Sequence, residues 1–493
     1  MQFDKGIGTV LIDTTERRDA DSTASASAQP GSPITQQLAA FLTDPDLSFP
    51  EAVATKVKLH ILDTLGCQVA FASLPWSREV QRYAVTDRPE GPANLAYYGT
   101  PVPVEIAAFA NAGFGHGFEM DDTEMRTASH PGVVVVPAAL ATGQARAASG
   151  SDFLKAVTVG YEVMIRVGLG SVGMMRRGFH TTAVTGVFGA TAASASVMRV
   201  SADQAAHGLG IAASKASGIT EYSASGGSVK RIHAGFAAQA GVESMAMAGF
   251  GVTAPTAALE GPRGLLAAVS DTVDTEVVTR GLGVDYELLT TGLKPYCCCA
   301  GQHAVIDAVI ELLATAPGVD PSAVRRIRVL QNSREVDVVG RIVEPKDLTA
   351  AQFSAAFGIG LRLVKGGNGF GDYLGASLDD EQILEVARKV VYERTPANSP
   401  LPGHGPARVT FEMHDGSEMV ATVSHARGST ARPLDEEEVV RKFRSLAEGP
   451  LGERSAAQVQ DMVLNLEKVP DVNALAALLQ ARKDHEPLDS RTI

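Results

Sequence analysis

Apolar positions recur at helical spacing from Pro33 onward. Between Lys56 and Ala70 the apolar residues mix with His60, Asp63 and Cys67 on several faces, which predicts a helix buried on most sides. From about 135 to 250 the chain reads as helix after helix, rich in Ala, Gly and Ser. Gly186, Gly189, Ala190, Ala193 and Ser194 place small residues on one stripe, which lets neighbouring helices approach closely. Ser201-Ala-Asp-Gln204 is a capping box that starts the next helix.

The pattern changes after Gly292. Val324–Leu330 reads as a strand, and 408–413 and 418–423 alternate around His414-Asp-Gly-Ser417, a hairpin signal. Helices are expected at 302–314 and 348–364. Asp435-Glu-Glu-Glu438 caps another through Leu446, and 456–480 reads as helical again. The fold class that follows is mainly α. A large all-helical domain built from residues 32–288 and 433–493 is interrupted by a smaller α/β lid at 289–432. Residues 1–31 end in Ser-Thr-Ala-Ser-Ala-Ser-Ala-Gln-Pro-Gly and read as a mobile tail; Ile7–Ile12 within them has the character of a strand.

A net charge of −13 argues against a nucleic-acid partner, because phosphate binding needs a clustered positive surface. No apolar run reaches a membrane span; the closest, Val184–Val197, is broken by Thr, Ser and Gly. Three of the four cysteines, Cys297, Cys298 and Cys299, are consecutive, which suits neither a disulfide framework nor a metal knuckle. They are expected to act as small apolar groups, and a metal site is not expected. The N-terminus is acidic and lacks an apolar signal core, so the cytoplasm is the expected compartment.

The densest chemistry lies in Phe118–His130, where Glu119, Asp121, Asp122, Thr123, Glu124, Arg126, Thr127 and His130 precede the apolar run 133–140. Acid–base groups on a turn before a buried helix have the composition of an active-site wall; the alternative is a solvated cap. His180 stands before a Gly/Ala-rich helix, whose positive end biases it to neutrality, as a general base needs. Lys230, Arg231 and His233 follow a glycine pair as possible cations for a carboxylate or phosphate, although neither a Walker loop nor a dinucleotide fingerprint is present. Lys294 opens the α/β segment.

With these segments in order, and with Ile61-Leu-Asp-Thr-Leu-Gly66 and Gly428…Pro433-Leu434…Lys442-Phe443, the chain resembles the MmgE/PrpD family from about residue 36 to 479. That family includes 2-methylcitrate dehydratase, cis-aconitate decarboxylase and iminodisuccinate epimerase. The resemblance implies a helical domain built from both chain ends, a lid, a homodimer, and neither metal nor organic cofactor. By position, Glu119 stands where the family usually has Asp, and Asp121, Asp122 and Thr123 continue that acidic motif. His130, His180, Lys230 and Lys294 match the family's active-site histidines and lysines. Two departures stand out. Glu124 replaces a frequent His, and residues 332–341 hold no counterpart of the lid tyrosine found in animal decarboxylases.

The chemistry expected is that of a lyase on a small di- or tricarboxylate. His130 and His180 move the proton, Lys230 and Lys294 hold negative charge, and Glu119 orients and tunes these groups. Asp121, Asp122, Thr123, Arg126 and Arg231 are expected around the substrate. A cis-aconitate decarboxylase is favoured, followed by a citrate-type dehydratase, then an epimerase or isomerase. Outside catalysis stands a carboxylate-binding relative, and a redox role for the cysteines is the remaining alternative.

Overall fold

The computed structural model describes residues 33–222, 227–395, 405–486 and 488. The expected tail, with its strand at 7–12, lies outside them, as does Gly226, the first glycine of the pair before Lys230.

Among the described residues, nine helices of ten residues or more carry the first part: α1 (Ile34–Thr43), α2 (Glu51–Phe71), α3 (Pro75–Val85), α4 (Val104–Gly115), α5 (Gly132–Arg146), α6 (Gly150–Leu169), α7 (Thr181–Met198), α8 (Ala202–Lys215) and α9 (Val229–Gly249). Two of them, α5 and α7, are buried nearly all round, which is why they read as bland apolar runs. The small-residue stripe has the predicted effect. A Cβ added at Gly189 of α7 would lie 3.0 Å from the Gly160 carbonyl of α6, and one at Gly241 of α9 would lie 2.4 Å from Ala190.

The remainder is mixed. A four-stranded sheet of order β4-β3-β5-β6 joins β3 (Val324–Gln331), β4 (Val390–Arg394), β5 (Ala407–Met413) and β6 (Glu418–Val423), and a two-residue pair, β1 (Ala93–Asn94) with β2 (Pro101–Val102), sits in the helical part. The expected hairpin is β5–β6, antiparallel in register from Ala407–Val423 to Glu412–Glu418. β4, which the sequence reading lacked, runs parallel to β3. The helix expected at 348–364 is two, Leu348–Gln352 and Ala355–Lys365, because the Ser354 hydroxyl accepts from the Phe357 amide and starts a new helix. The helical run expected at 456–480 is also interrupted, between Glu453–Leu464 and Asn473–Leu478.

Helix α10 (Glu436–Leu451), which opens the C-terminal helical stretch, starts at the predicted cap, where Asp435 and Glu438 form a capping box. It returns to α2, and a Cβ on Gly66 would lie 3.1 Å from Phe443. One hydrophobic cluster accordingly runs from Ile34 to Leu288 and resumes from Phe443 to Leu479. A second joins Phe71, Leu74, Phe118 and Met120 of the helical part to Tyr296, Cys297, Phe357 and Tyr373. The acidic loop lies on that joint. Among the described residues, no helix is long and apolar enough to cross a membrane.

Candidate active site

The loop from His116 to Pro131 connects α4 to α5 and is pinched by a Glu124–Ser129 bridge, 2.8 and 3.1 Å between backbone partners. Glu119 sits in the left-handed region at φ 54°, uncommon for a residue with a long side chain. Three successive carbonyls around this kink are held by three separate segments. Gln352 Nε2 donates to Phe118 O at 2.9 Å, Lys294 Nζ to Glu119 O at 3.3 Å, and Lys442 Nζ to Met120 O at 2.6 Å. Lys442 in turn lies 2.5 Å from Asp63 of α2, so the two distant motifs of the resemblance meet behind the loop.

In front of the loop the side chains converge. Asp121 Oδ2 lies 2.8 Å from His116 Nδ1 and 3.1 Å from His130 Nδ1, and its Oδ1 lies 3.9 Å from Lys294 Nζ. Burial alone would raise the Asp121 carboxyl, but His130, His116 and Lys294 outweigh it and hold the group well below the usual range. His130 Nδ1 also lies 2.6 Å from the Asp122 carbonyl. A carbonyl only accepts, so Nδ1 carries the proton, and Nε2 of neutral His130 is left as a base. The same reasoning gives His116 a protonated Nδ1 toward Asp121 and a bare Nε2, which is buried without a partner. Burial pushes His116 down to about 4, despite the Asp121 charge that opposes it.

Four imidazoles form a row. Ring centroids are 5.1 Å apart for His130–His116, 6.2 Å for His116–His180 and 5.1 Å for His180–His233. His180 caps the N-terminus of α7, and its Nδ1 lies 2.9 Å from Nδ1 of His233 on α9. Burial, then His116 and His233, depress His180 well below its ordinary value, so it is neutral as expected. Tyr222 stands edge-on to both His180 and His233, with centroids 5.6 Å away in each case.

The lysines face Glu119. Lys230 from α9 bonds Oε1, and Lys294 lies 3.4 Å from Oε2. Burial, with Lys294 beside it, pushes Lys230 down to about 7. His130 and Lys230 keep 14% and 13% of their side chains exposed, against 1% for Asp121, so they are the members that an entering molecule meets first.

The structure thus brings Glu119, Asp121, His130, His180, Lys230 and Lys294 together. It does not bring the others. Asp122 points into the helical core, where its carboxylate accepts from the Gly132 amide at 2.9 Å and from the Tyr161 hydroxyl at 2.8 Å, with His60 Nδ1 at 3.1 Å. The Thr123 hydroxyl turns to the Met125 sulfur, 3.8 Å away, and its backbone pairs with Gly292. Arg126 is consumed by Glu124 and Glu287, each at 2.7 Å, and by Thr290. Arg231 stacks on Trp76 at 3.8 Å and donates to Thr349 across the joint. His233, grouped above with the cations, is pushed down to about 4 by burial and is neutral. Glu124 braces its own loop, accepting from the Thr127 amide at 2.7 Å.

His116 was missing from the sequence reading because it follows the apolar run of α4. His233 had a signal, since it lies one helical turn beyond Lys230 on the same face. Among the described residues, no three or more His, Cys, Asp and Glu side chains are grouped to hold a metal ion. Burial keeps the Cys297 and Cys298 thiols protonated, in line with the packing role expected of them.

The family model described as MmgE/PrpD N-terminal domain matches residues 36–277, and that for the MmgE/PrpD C-terminal domain matches residues 296–468. The chain belongs to the MmgE/PrpD family. A protein named cis-aconitate decarboxylase from Aspergillus terreus (strain NIH 2624 / FGSC A1156) is similar to this MmgE/PrpD member at 28% identity, covering 87% of this chain and 92% of its own. The cis-aconitate decarboxylase-like protein oryM of Aspergillus oryzae is 27% identical, over 90% of this chain and 97% of its own. The human cis-aconitate decarboxylase is 26% identical, over 87% and 91%.

Proposed function

We propose that this MmgE/PrpD protein is a lyase acting on a small di- or tricarboxylic acid, with cis-aconitate decarboxylation its favoured reaction and no cofactor required. The observation that carries this reading is the opposition of a proton-holding row, His130 to His233 around Asp121, to the lysine pair at Glu119. The names of the relatives point the same way.

In a decarboxylation the bond from carbon to one carboxylate breaks, and its electron pair spreads onto the adjoining unsaturated carboxyl system. Carbon dioxide leaves, and a proton is added to carbon. Lys294, with Lys230 in its protonated form, is the positive partner for the spreading charge. His130 is the proton carrier, because Asp121 and the Asp122 carbonyl hold its Nδ1–H while Nε2 is free to take and return a proton. Asp121 stabilises the imidazolium that forms and does not itself react. A homodimer in the cytoplasm, with no membrane or nucleic-acid partner, completes the proposal.

The test is proton NMR of the purified protein with cis-aconitate, citrate and 2-methylcitrate in deuterated buffer. New vinyl signals of a decarboxylated product are expected from cis-aconitate. Gain or loss of water establishes a dehydratase instead, and deuterium exchange without conversion an isomerase. No change in any acid overturns the lyase reading.

A further inference from the structure

Among the described residues, the two lysines of the polar cluster, Lys230 and Lys294, face two carboxylates, Glu119 and Asp121, while burial holds His116, His180 and His233 neutral. A polyanion entering this site meets lysines that are already partnered. The form of that partnership is informative. Glu119 gives one carboxylate oxygen to each lysine, Oε1 to Lys230 and Oε2 to Lys294, which is how a bound carboxylate would bridge two ammonium groups. The left-handed backbone at Glu119, tied through the carbonyls on both sides of it, carries the side chain to that position.

We infer, on the basis of the carboxylate reading above, that Glu119 occupies the seat between the two lysines that a substrate carboxylate takes, and that the substrate binds by displacing it. The displaced side chain leaves both ammonium groups and stays beside Asp121 and the arriving anion, so it takes up a proton from solvent. The charged and titratable groups around it are Lys230 from α9, Lys294 from the start of the mixed part, Lys442 from α10 at the next carbonyl, His116 from the end of α4, and Asp121 and His130 on its own loop. Of these, the lysines favour its ionised form in the empty site, and Asp121 and the ligand favour its protonated form in the complex. Glu119 thereby sets the charge that the site accepts and makes affinity rise as pH falls.

The probe is tricarballylate, a saturated tricarboxylate with no double bond to react. Its binding is measured by titration calorimetry at several pH values, in two buffers of different ionisation heat, for the wild type, Glu119→Gln and Glu119→Asp. The wild type is expected to take up about one proton per ligand more than Glu119→Gln, and Glu119→Gln to bind about tenfold tighter at pH 7.5. That gap closes at acid pH, where the wild-type complex gains its proton. Glu119→Asp keeps the charge and therefore the proton uptake, which separates displacement from a packing effect of the longer side chain. Equal or weaker binding by Glu119→Gln, equal proton uptake in all three proteins, or no binding by any of them overturns the inference. Turnover of cis-aconitate is followed separately. Absence of turnover with the Gln effect intact removes the lyase reading alone, and turnover without the Gln effect removes this inference alone.

Discussion

Asp121 and Asp122 are neighbours in the chain with opposite orientations, and exchanging each for Asn separates the site from its scaffold. The Asp122 carboxylate is reached by three donors, the Gly132 amide, the Tyr161 hydroxyl and His60 Nδ1, all buried. Asparagine retains one oxygen and turns an N–H toward donors at the other position, which orphans one or two of them. At about 1–3 kcal/mol for each stranded buried group, Asp122→Asn costs about 2–5 kcal/mol, a large share of a typical folding free energy. That is a fall in Tm of several degrees. Asp121 differs, because its Oδ1 has no hydrogen-bond partner and its Oδ2 serves the two histidines. Asparagine there keeps an acceptor and loses the charge that stabilises protonated His130. A lost charge-assisted bond of about 1.5–3 kcal/mol in the transition state lowers kcat about 10- to 150-fold per folded molecule.

The assay pairs thermal melts at one scan rate with NMR turnover of cis-aconitate per folded molecule. A variant Asp122→Asn that melts like wild type but loses turnover refutes the reasoning. So does an Asp121→Asn that unfolds early while the remaining fraction works normally.

Acid ought to weaken the fold. His116 and His233 are held down at about 4 and His303 at about 3, each chiefly by burial, and His180 lies well below its usual value. The unfolded chain binds protons on these rings near pH 6.5 and the native chain does not, so their stabilisation is complete above that pH and is lost as pH falls toward 4. Buried His60 is lowered as well, and Asp63, pushed up to about 6 by burial, works in the other direction, so the net expectation is a loss of stability as pH falls from 7 to 5.5. Urea unfolding at pH 7 and pH 5.5 measures it; a flat dependence rejects the neutral histidine row. Replacing both Cys297 and Cys298 by Ala removes buried contacts at about 1 kcal/mol each and leaves turnover per folded molecule unchanged. Loss of turnover at an unchanged melting temperature gives these thiols a chemical role instead.

The elements that local pattern dictates were legible. Period-two alternation with a His-Asp-Gly-Ser turn yields β5–β6, and the Asp435–Glu438 box yields the start of α10. β4 was not, because five residues that follow the helix Glu381–Arg388 almost directly carry too short a period to read. In the site, clustering along the chain found the loop, and the family resemblance supplied as its partners Lys230 and Lys294, which lie far from it in sequence. Clustering failed where partners are remote: Arg126 is claimed by Glu287, 161 residues away, and Asp122 by His60 and Tyr161. His116 was hidden by its apolar surroundings, and His233, read as a possible cation, is kept neutral by burial.

Why the sequence does not say which of two adjacent carboxylates faces the lysines follows from how the loop is built. The division between Asp121 and Asp122 depends on the left-handed turn at Glu119, and nothing local favours that turn in a glutamate. It stands because Phe118, Glu119 and Met120 each present a carbonyl to a donor from elsewhere: Gln352 and Lys294 from the mixed part, and Lys442 from the returning C-terminal helix. Removing any one frees one carbonyl and leaves two to hold the kink; residues 32–288 by themselves supply none of the three donors. The three donors come from segments that meet only in the complete fold, so the turn is a property of the tertiary structure. The chain's return from the mixed part to α2 is therefore part of the site: through Lys442 it fixes Met120, and through Met120 it fixes the directions of the carboxylates on either side.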